Sequence, residues 1–75
     1  MPLIQVKAIE GVFTETQMRE IVRKLTDAMV SIEGENMRQV TTVIVEEVKS
    51  GSWGIGGKSL TTAEVKALAA GKPTG

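Results

Sequence analysis

One amphipathic stripe stands between two strand-like runs, and little else in the chain can build a core. Leu3-Ile4-Gln5-Val6-Lys7-Ala8-Ile9 reads as a strand, ended by Glu10-Gly11. Thr14-Glu15-Thr16-Gln17 then has the spacing of a capping box, in which the hydroxyl and the Gln three residues on each satisfy a free backbone donor. Met18, Ile21, Val22, Leu25, Ala28, Met29 and Ile32 follow at steps of three and four. They predict one apolar face, with Arg19, Glu20, Arg23, Lys24 and Asp27 mostly opposite. Glu20 and Lys24 are placed for an ion pair along the helix, and Gly34 is its natural stop. Val40 to Val48 is the second strand. Its continuously apolar Val43-Ile44-Val45 is expected of a strand covered on both faces. Strand, helix, strand in this order predicts a βαβ unit of the α/β class, its strands parallel and its crossover right-handed. Two strands and one helix cannot close a core, so the sheet edges and the open sheet face must meet another subunit.

The 75 residues read as a single domain, with 1–60 forming the βαβ core and a glycine loop and 61–75 a short helix and tail. Chains this short usually add disulfides, a metal or a partner chain. There is no cysteine and no histidine, which leaves association as the route. Nine basic residues balance nine acidic ones, and neither sign clusters, so nothing draws nucleic acid or an anionic membrane surface. Aromatic residues are too few for base stacking. No apolar run reaches transmembrane length, and no charged start leads into an export segment. The expectation is a soluble, cytoplasmic, oligomeric domain that uses no cofactor and no metal.

Gly51-Ser52-Trp53-Gly54-Ile55-Gly56-Gly57 is a glycine-dense loop around the one tryptophan. Gly57-Lys58-Ser59, after a strand and before a helix, imitates a phosphate-binding loop. The first glycine of that motif would fall at Ser52, and Trp53 would crowd the backbone that must close around phosphate. Glycines in this pattern predict instead a tight hairpin with positive φ angles. Trp53 then staples subunits together or forms the apolar wall of a pocket between chains. Thr61-Thr62-Ala63-Glu64 is a second capping box, opening a short helix through Ala70 that Gly71 and Pro73 end. This segment either covers a pocket or packs on a neighbour.

Pro2 opens the first strand. Removal of Met1 would leave it as a secondary amine at the chain start. An α-amino group titrates at roughly 7.7–8.0 when unperturbed, and burial lowers it because desolvation disfavours the charged form. Such a group serves as general base near neutral pH without a histidine. Proline at the first position of a strand also costs no ladder hydrogen bond, so the residue alone is compatible with a purely structural role.

Taken in order, the Pro2 strand, Glu10-Gly11, the amphipathic helix, the Val-rich strand ending in Glu46-Glu47-Val48 and the Trp53 glycine loop resemble the 4-oxalocrotonate tautomerase family over Met1 to Leu60. The resemblance implies a βαβ subunit with a C-terminal hairpin, its sheet completed in a dimer, and three dimers forming a hexamer. It implies an isomerase in the catabolism of aromatic compounds, whose amino-terminal proline moves a proton on an enol or dienol carboxylate. Pro2 matches the base, and Trp53 matches the aromatic that lines the pocket, supplied by a neighbouring chain.

The sequence departs from the family at two positions. Members acting on dicarboxylated dienols have an arginine directly after the glycine that ends the first strand, where this chain has Val12. They have a second in the second strand, where it has Thr42. A guanidinium grips a carboxylate through a planar fork, stabilises charge developing on an enolate and helps keep the proline amine neutral. Valine and threonine do none of this. Arg38, Lys7 and Lys58 are the cations available to replace them, from their own or a neighbouring chain. Glu46 or Glu47 could activate water, as acidic residues do in hydratase-like relatives, and as strand neighbours only one of them can face inward. The expectations are therefore a tautomerase of altered specificity, an arginine-deficient subunit of a mixed hexamer with a homologous chain, or a proline-dependent hydratase or decarboxylase of small unsaturated or keto acids.

Overall fold

The computed structural model describes residues 1–71, so Pro73 lies outside the described residues. The elements are β1 (Leu3–Ile9), α1 (Glu15–Glu33), a 3₁₀ segment (Glu35–Val40), β2 (Thr42–Val48), β3 (Trp53–Ile55), β4 (Lys58–Leu60) and α2 (Thr62–Ala69). β1 pairs with β2, and β3 with β4. The Thr42 N–H donates to the Pro2 carbonyl where the first pair begins, and the Glu10 N–H donates to the Val48 carbonyl where it ends. Starts meet starts and ends meet ends, so β1 and β2 run parallel, as the βαβ order predicts. The described residues fall into two compact units, one of Met1–Lys7 and Phe13–Glu46, the other of Ala8–Val12 and the residues from Glu47 onward.

In the first unit both ends of α1 follow from local chemistry. Thr14 accepts from the Gln17 N–H while the Gln17 side chain accepts from the Thr14 N–H, completing the capping box. Gly34 closes the helix with φ +102°, in a region that an L side chain rarely adopts. Glu20 and Lys24 make the expected pair at 2.7 Å. Ile4, Val6, Val43 and Val45 are half-buried in alternation with exposed neighbours, and Met18, Val22 and Val45 line one groove, which sets the helix stripe against this face of the sheet. Val30 is the buried residue of α1, and such burial contributes about 1.5–3 kcal/mol.

Two expectations are corrected in this unit. Ile32 is 84% exposed, and Ala28 is also exposed. A seven-residue step drifts by about 20° around a helix of 3.6 residues per turn, so by the last turns the covered side has moved to Met29, Val30 and Glu33. The second strand begins at Thr42 rather than Val40, because Glu35–Val40 is wound into the 3₁₀ segment. Arg38 bonds back to Glu35, and the Thr41 hydroxyl donates to the Met37 carbonyl. These local bonds satisfy the backbone and side chains in a turn before extension starts.

The opposite face of the pair is bare. Leu3 is 56% and Ile44 39% exposed, so the apolar run through Ile44 is covered from one side only within a single chain. Among the described residues only Ala8, Ile9 and Val30 are buried. No helix among them is long and apolar enough to cross a membrane.

In the second unit β3 and β4 form an antiparallel hairpin with Trp53 opposite Leu60 and Ile55 opposite Lys58. Gly56 and Gly57 make the turn with φ +59° and +84°, the paired positive angles of a type I′ turn, as the glycine spacing predicts. α2 opens with its own capping box, Thr61 accepting from the Glu64 N–H. Gly71, at φ +79°, donates to the Leu68 carbonyl and ends it.

Candidate active site

Pro2 stands one residue ahead of β1, where a missing N–H costs the ladder nothing, and it is half-buried. Met1 before it is 90% exposed. The Pro2 carbonyl accepts from the Thr42 N–H at 3.1 Å, so these two candidate residues are held together at the start of the sheet. Thr42, Ile44 and Glu46 alternate outward on β2, as Leu3, Gln5 and Lys7 do on β1. The bare sheet face thus carries Thr42 and Lys7 beside Leu3 and Ile44. Ion pairs among the described residues are Lys24–Glu20, Arg38–Asp27 and Arg38–Glu35, which leaves the Lys7 ammonium uncommitted.

Arg38 is placed differently. Its guanidinium lies 2.7 Å from Glu35 and 2.8 Å from Asp27. The hydrogen bonds it donates to Glu35 and then Asp27 raise its pKa further, and the same bond from Arg38 holds the Glu35 carboxyl below its ordinary value. Arg38 is a surface cation already engaged by two carboxylates of its own unit.

The remaining candidates belong to the second unit, apart from Glu46. Trp53 is half-buried on β3. Lys58 is exposed on β4, so Gly57-Lys58-Ser59 runs from a hairpin turn into a strand and opens no helix. That geometry removes the resemblance to a phosphate-binding loop. Glu46 is exposed, while the Glu47 carboxylate accepts from the Gly11 N–H at 3.0 Å. Val12, half-buried, follows Gly11 directly. Among the described residues no group of His, Cys, Asp and Glu converges to hold a metal.

Sequence reasoning missed one cluster in this unit. The Glu10 carboxylate accepts from the Ser50 N–H at 2.9 Å, the Thr62 hydroxyl donates to the Glu10 carbonyl at 2.6 Å, and the Thr62 N–H donates to Ser50 Oγ at 2.9 Å. Its members lie up to 52 residues apart, so no local pattern announces it. The one local sign is that Thr62, just inside the second capping box, is a hydroxyl residue free to bond elsewhere because Thr61 supplies the cap.

Against known proteins, the family model described as tautomerase enzyme matches residues 2–63. The chain is similar to probable tautomerase K2 of Dickeya dadantii, at 33% identity over 61 residues, covering 81% of this chain and 90% of that one. It is similar to a probable tautomerase of Staphylococcus aureus, at 39% identity over 57 residues, covering 76% of this chain and 90% of the other. Among solved structures, one described for the 4-oxalocrotonate tautomerase isozymes of Methylibium petroleiphilum superposes with a TM-score of 0.70 at 38% identity. It covers 77% of this chain and 90% of its own. TomN, a homologue from the tomaymycin biosynthetic pathway, superposes with a TM-score of 0.72 at 29% identity, covering 91% of this chain and 95% of its own.

Proposed function

We propose that this chain, which belongs to the tautomerase family, isomerises an enol or dienol carboxylate with Pro2 as its general base. Removal of Met1 would convert the Pro2 nitrogen from an amide, whose lone pair is delocalised, into a secondary amine. The neutral amine takes the proton of the substrate's enol hydroxyl as the carbonyl forms, and the resulting ammonium returns that proton to carbon at the far end of the shifted double bond. Every proton removed is given back, so the cycle calls for no cofactor.

The observation that carries this reading is the hydrogen bond from Thr42 to Pro2. It sets the residue standing in an arginine's place next to the proposed base, within a chain that matches its family from residue 2. With Val12 and Thr42 in place of guanidinium groups, the second carboxylate of a dicarboxylated dienol has no forked partner from those positions. A monocarboxylate with an apolar body fits better, with the uncommitted Lys7 as the cation for its carboxylate and Trp53 of a neighbouring chain as the apolar wall. Arg38 is less suited to that role, being held by Asp27 and Glu35.

The exposed Leu3 and Ile44 support a subunit that completes itself by association, and the assembly proposed is the hexamer of three dimers. Val12 and Thr42 favour a second reading, in which the hexamer is mixed and a homologous chain supplies the arginines. Native mass spectrometry of the purified chain, coupled to assays with phenylenolpyruvate and 2-hydroxymuconate, separates the two. A stable homohexamer more active on phenylenolpyruvate supports the first reading. A chain that forms no active hexamer alone supports the second.

A further inference from the structure

The turn Glu10-Gly11-Val12 is held far more tightly than an exposed turn requires. Gly11 has φ +77°, and a Cβ built on it would lie 3.2 Å from Thr62 Cγ2, so the threonine methyl sits against the bare glycine Cα. The Glu10 N–H donates to the Val48 carbonyl, the Glu10 carbonyl accepts from the Thr62 hydroxyl, and the Gly11 N–H donates to Glu47 Oε2. Ser50 joins the set, its N–H donating to Glu10 Oε1 and its hydroxyl accepting from the Thr62 N–H. The end of β2, the following loop and the first residue of α2 therefore fix one short turn. A surface turn needs no such support, because water satisfies its backbone.

We infer that Thr62 and Glu47 are positioning residues that set the place of Val12, the residue at which the family resemblance leads one to expect an arginine. The inference rests on the proposed tautomerase reading and extends it. α2, most of which lies beyond the region the family model matches, then has a task in holding the turn that carries Val12, through its first residue. It also separates the two adjacent carboxylates. Both are exposed, but Glu47 Oε2 accepts from the Gly11 amide and ties that side chain to the turn, a bond that Glu46 does not share among the described residues.

The test uses the full chain with Thr62→Val, which keeps shape but removes the hydroxyl, Thr62→Ser, which restores it, and Glu47→Gln, which keeps an acceptor for the Gly11 amide. Hydrogen exchange at the Gly11 and Ser50 amides is read beside steady-state kinetics with phenylenolpyruvate. In Thr62→Val the two amides are expected to exchange roughly tenfold faster, with KM raised severalfold and kcat within about twofold. Thr62→Ser should return both to parental values, and Glu47→Gln should lie between. Faster exchange with unchanged KM would overturn the positioning role and leave the ties purely structural. Unchanged exchange would overturn the tie itself. A processed parent chain without activity would defeat the functional reading and the positioning role with it, while exchange would still report whether Thr62 holds the turn.

Discussion

The amide of Thr42 donates to the carbonyl of Pro2 at 3.1 Å, so the residue proposed to stand in an arginine's place is bonded to the residue proposed as base. Both are fixed by the same parallel pairing, which gives a side chain at 42 a defined place beside the chain start.

Thr42→Arg should therefore raise kcat/KM for 2-hydroxymuconate by at least about tenfold, since one forked carboxylate contact is charge-assisted on both sides. Thr42 is exposed at the first position of β2, so the larger side chain should shift stability within about 0.5 kcal/mol. Competition kinetics between 2-hydroxymuconate and phenylenolpyruvate would check the change in preference.

The pH profile should move with it. As the proposed base Pro2 would act only as the neutral amine, so kcat/KM should fall as pH drops through its pKa, tenfold per unit once fully below it. A new cation beside the amine disfavours the ammonium, so Thr42→Arg should shift the midpoint to lower pH than in the parent. A midpoint that stays in place would separate residue 42 from the base.

Gly11→Ala and Gly54→Ala should differ sharply in stability. Gly11 combines φ +77° with Thr62 Cγ2 only 3.2 Å from where a methyl group would stand, whereas a Cβ at Gly54 meets nothing closer than the Lys58 carbonyl at 3.9 Å. The first substitution should cost about 1–3 kcal/mol and the second less than about 0.5 kcal/mol, measured by urea denaturation.

Arg38→Ala should leave kcat/KM within about twofold, because its guanidinium serves Asp27 and Glu35 on the surface. Its effect should appear in the acid limb of stability. The Glu35 carboxyl is held below its ordinary value chiefly by the hydrogen bond from Arg38, so that contribution is present at neutral pH and lost as pH falls through the lowered value. The parent and Arg38→Ala should converge in stability at low pH. Exposure keeps the difference small at any pH.

What can be read from sequence follows the range of the forces involved. Thr14 with Gln17, Thr61 with Glu64, and Gly56-Gly57 are local devices whose partners lie within a few residues, and all three stand in the structure as the sequence predicts. Ile32 falls outside the covered face because a heptad step looks like a helix face on paper and drifts off it in space. The Glu35–Val40 segment winds into a turn, and the three-residue spacing of Glu35 and Arg38 is the local sign that sets it apart from the strand. The ties among Glu10, Ser50 and Thr62 depend on pairings across 40 and 52 residues, which only the folded chain brings together. Pro2 and Thr42 each stand out in sequence, but their hydrogen bond emerges only with the register of β1 on β2.

The proposed function turns on the amine of Pro2 moving the proton. Its most direct test is kcat/KM for phenylenolpyruvate in the chain whose measured mass shows Met1 removed, beside Pro2→Ala and beside the same chain retaining Met1. Both comparisons should show a loss of about 10²–10⁴-fold, with folding and assembly unchanged. Equal activity in the processed and Met1-bearing chains would contradict that proposal.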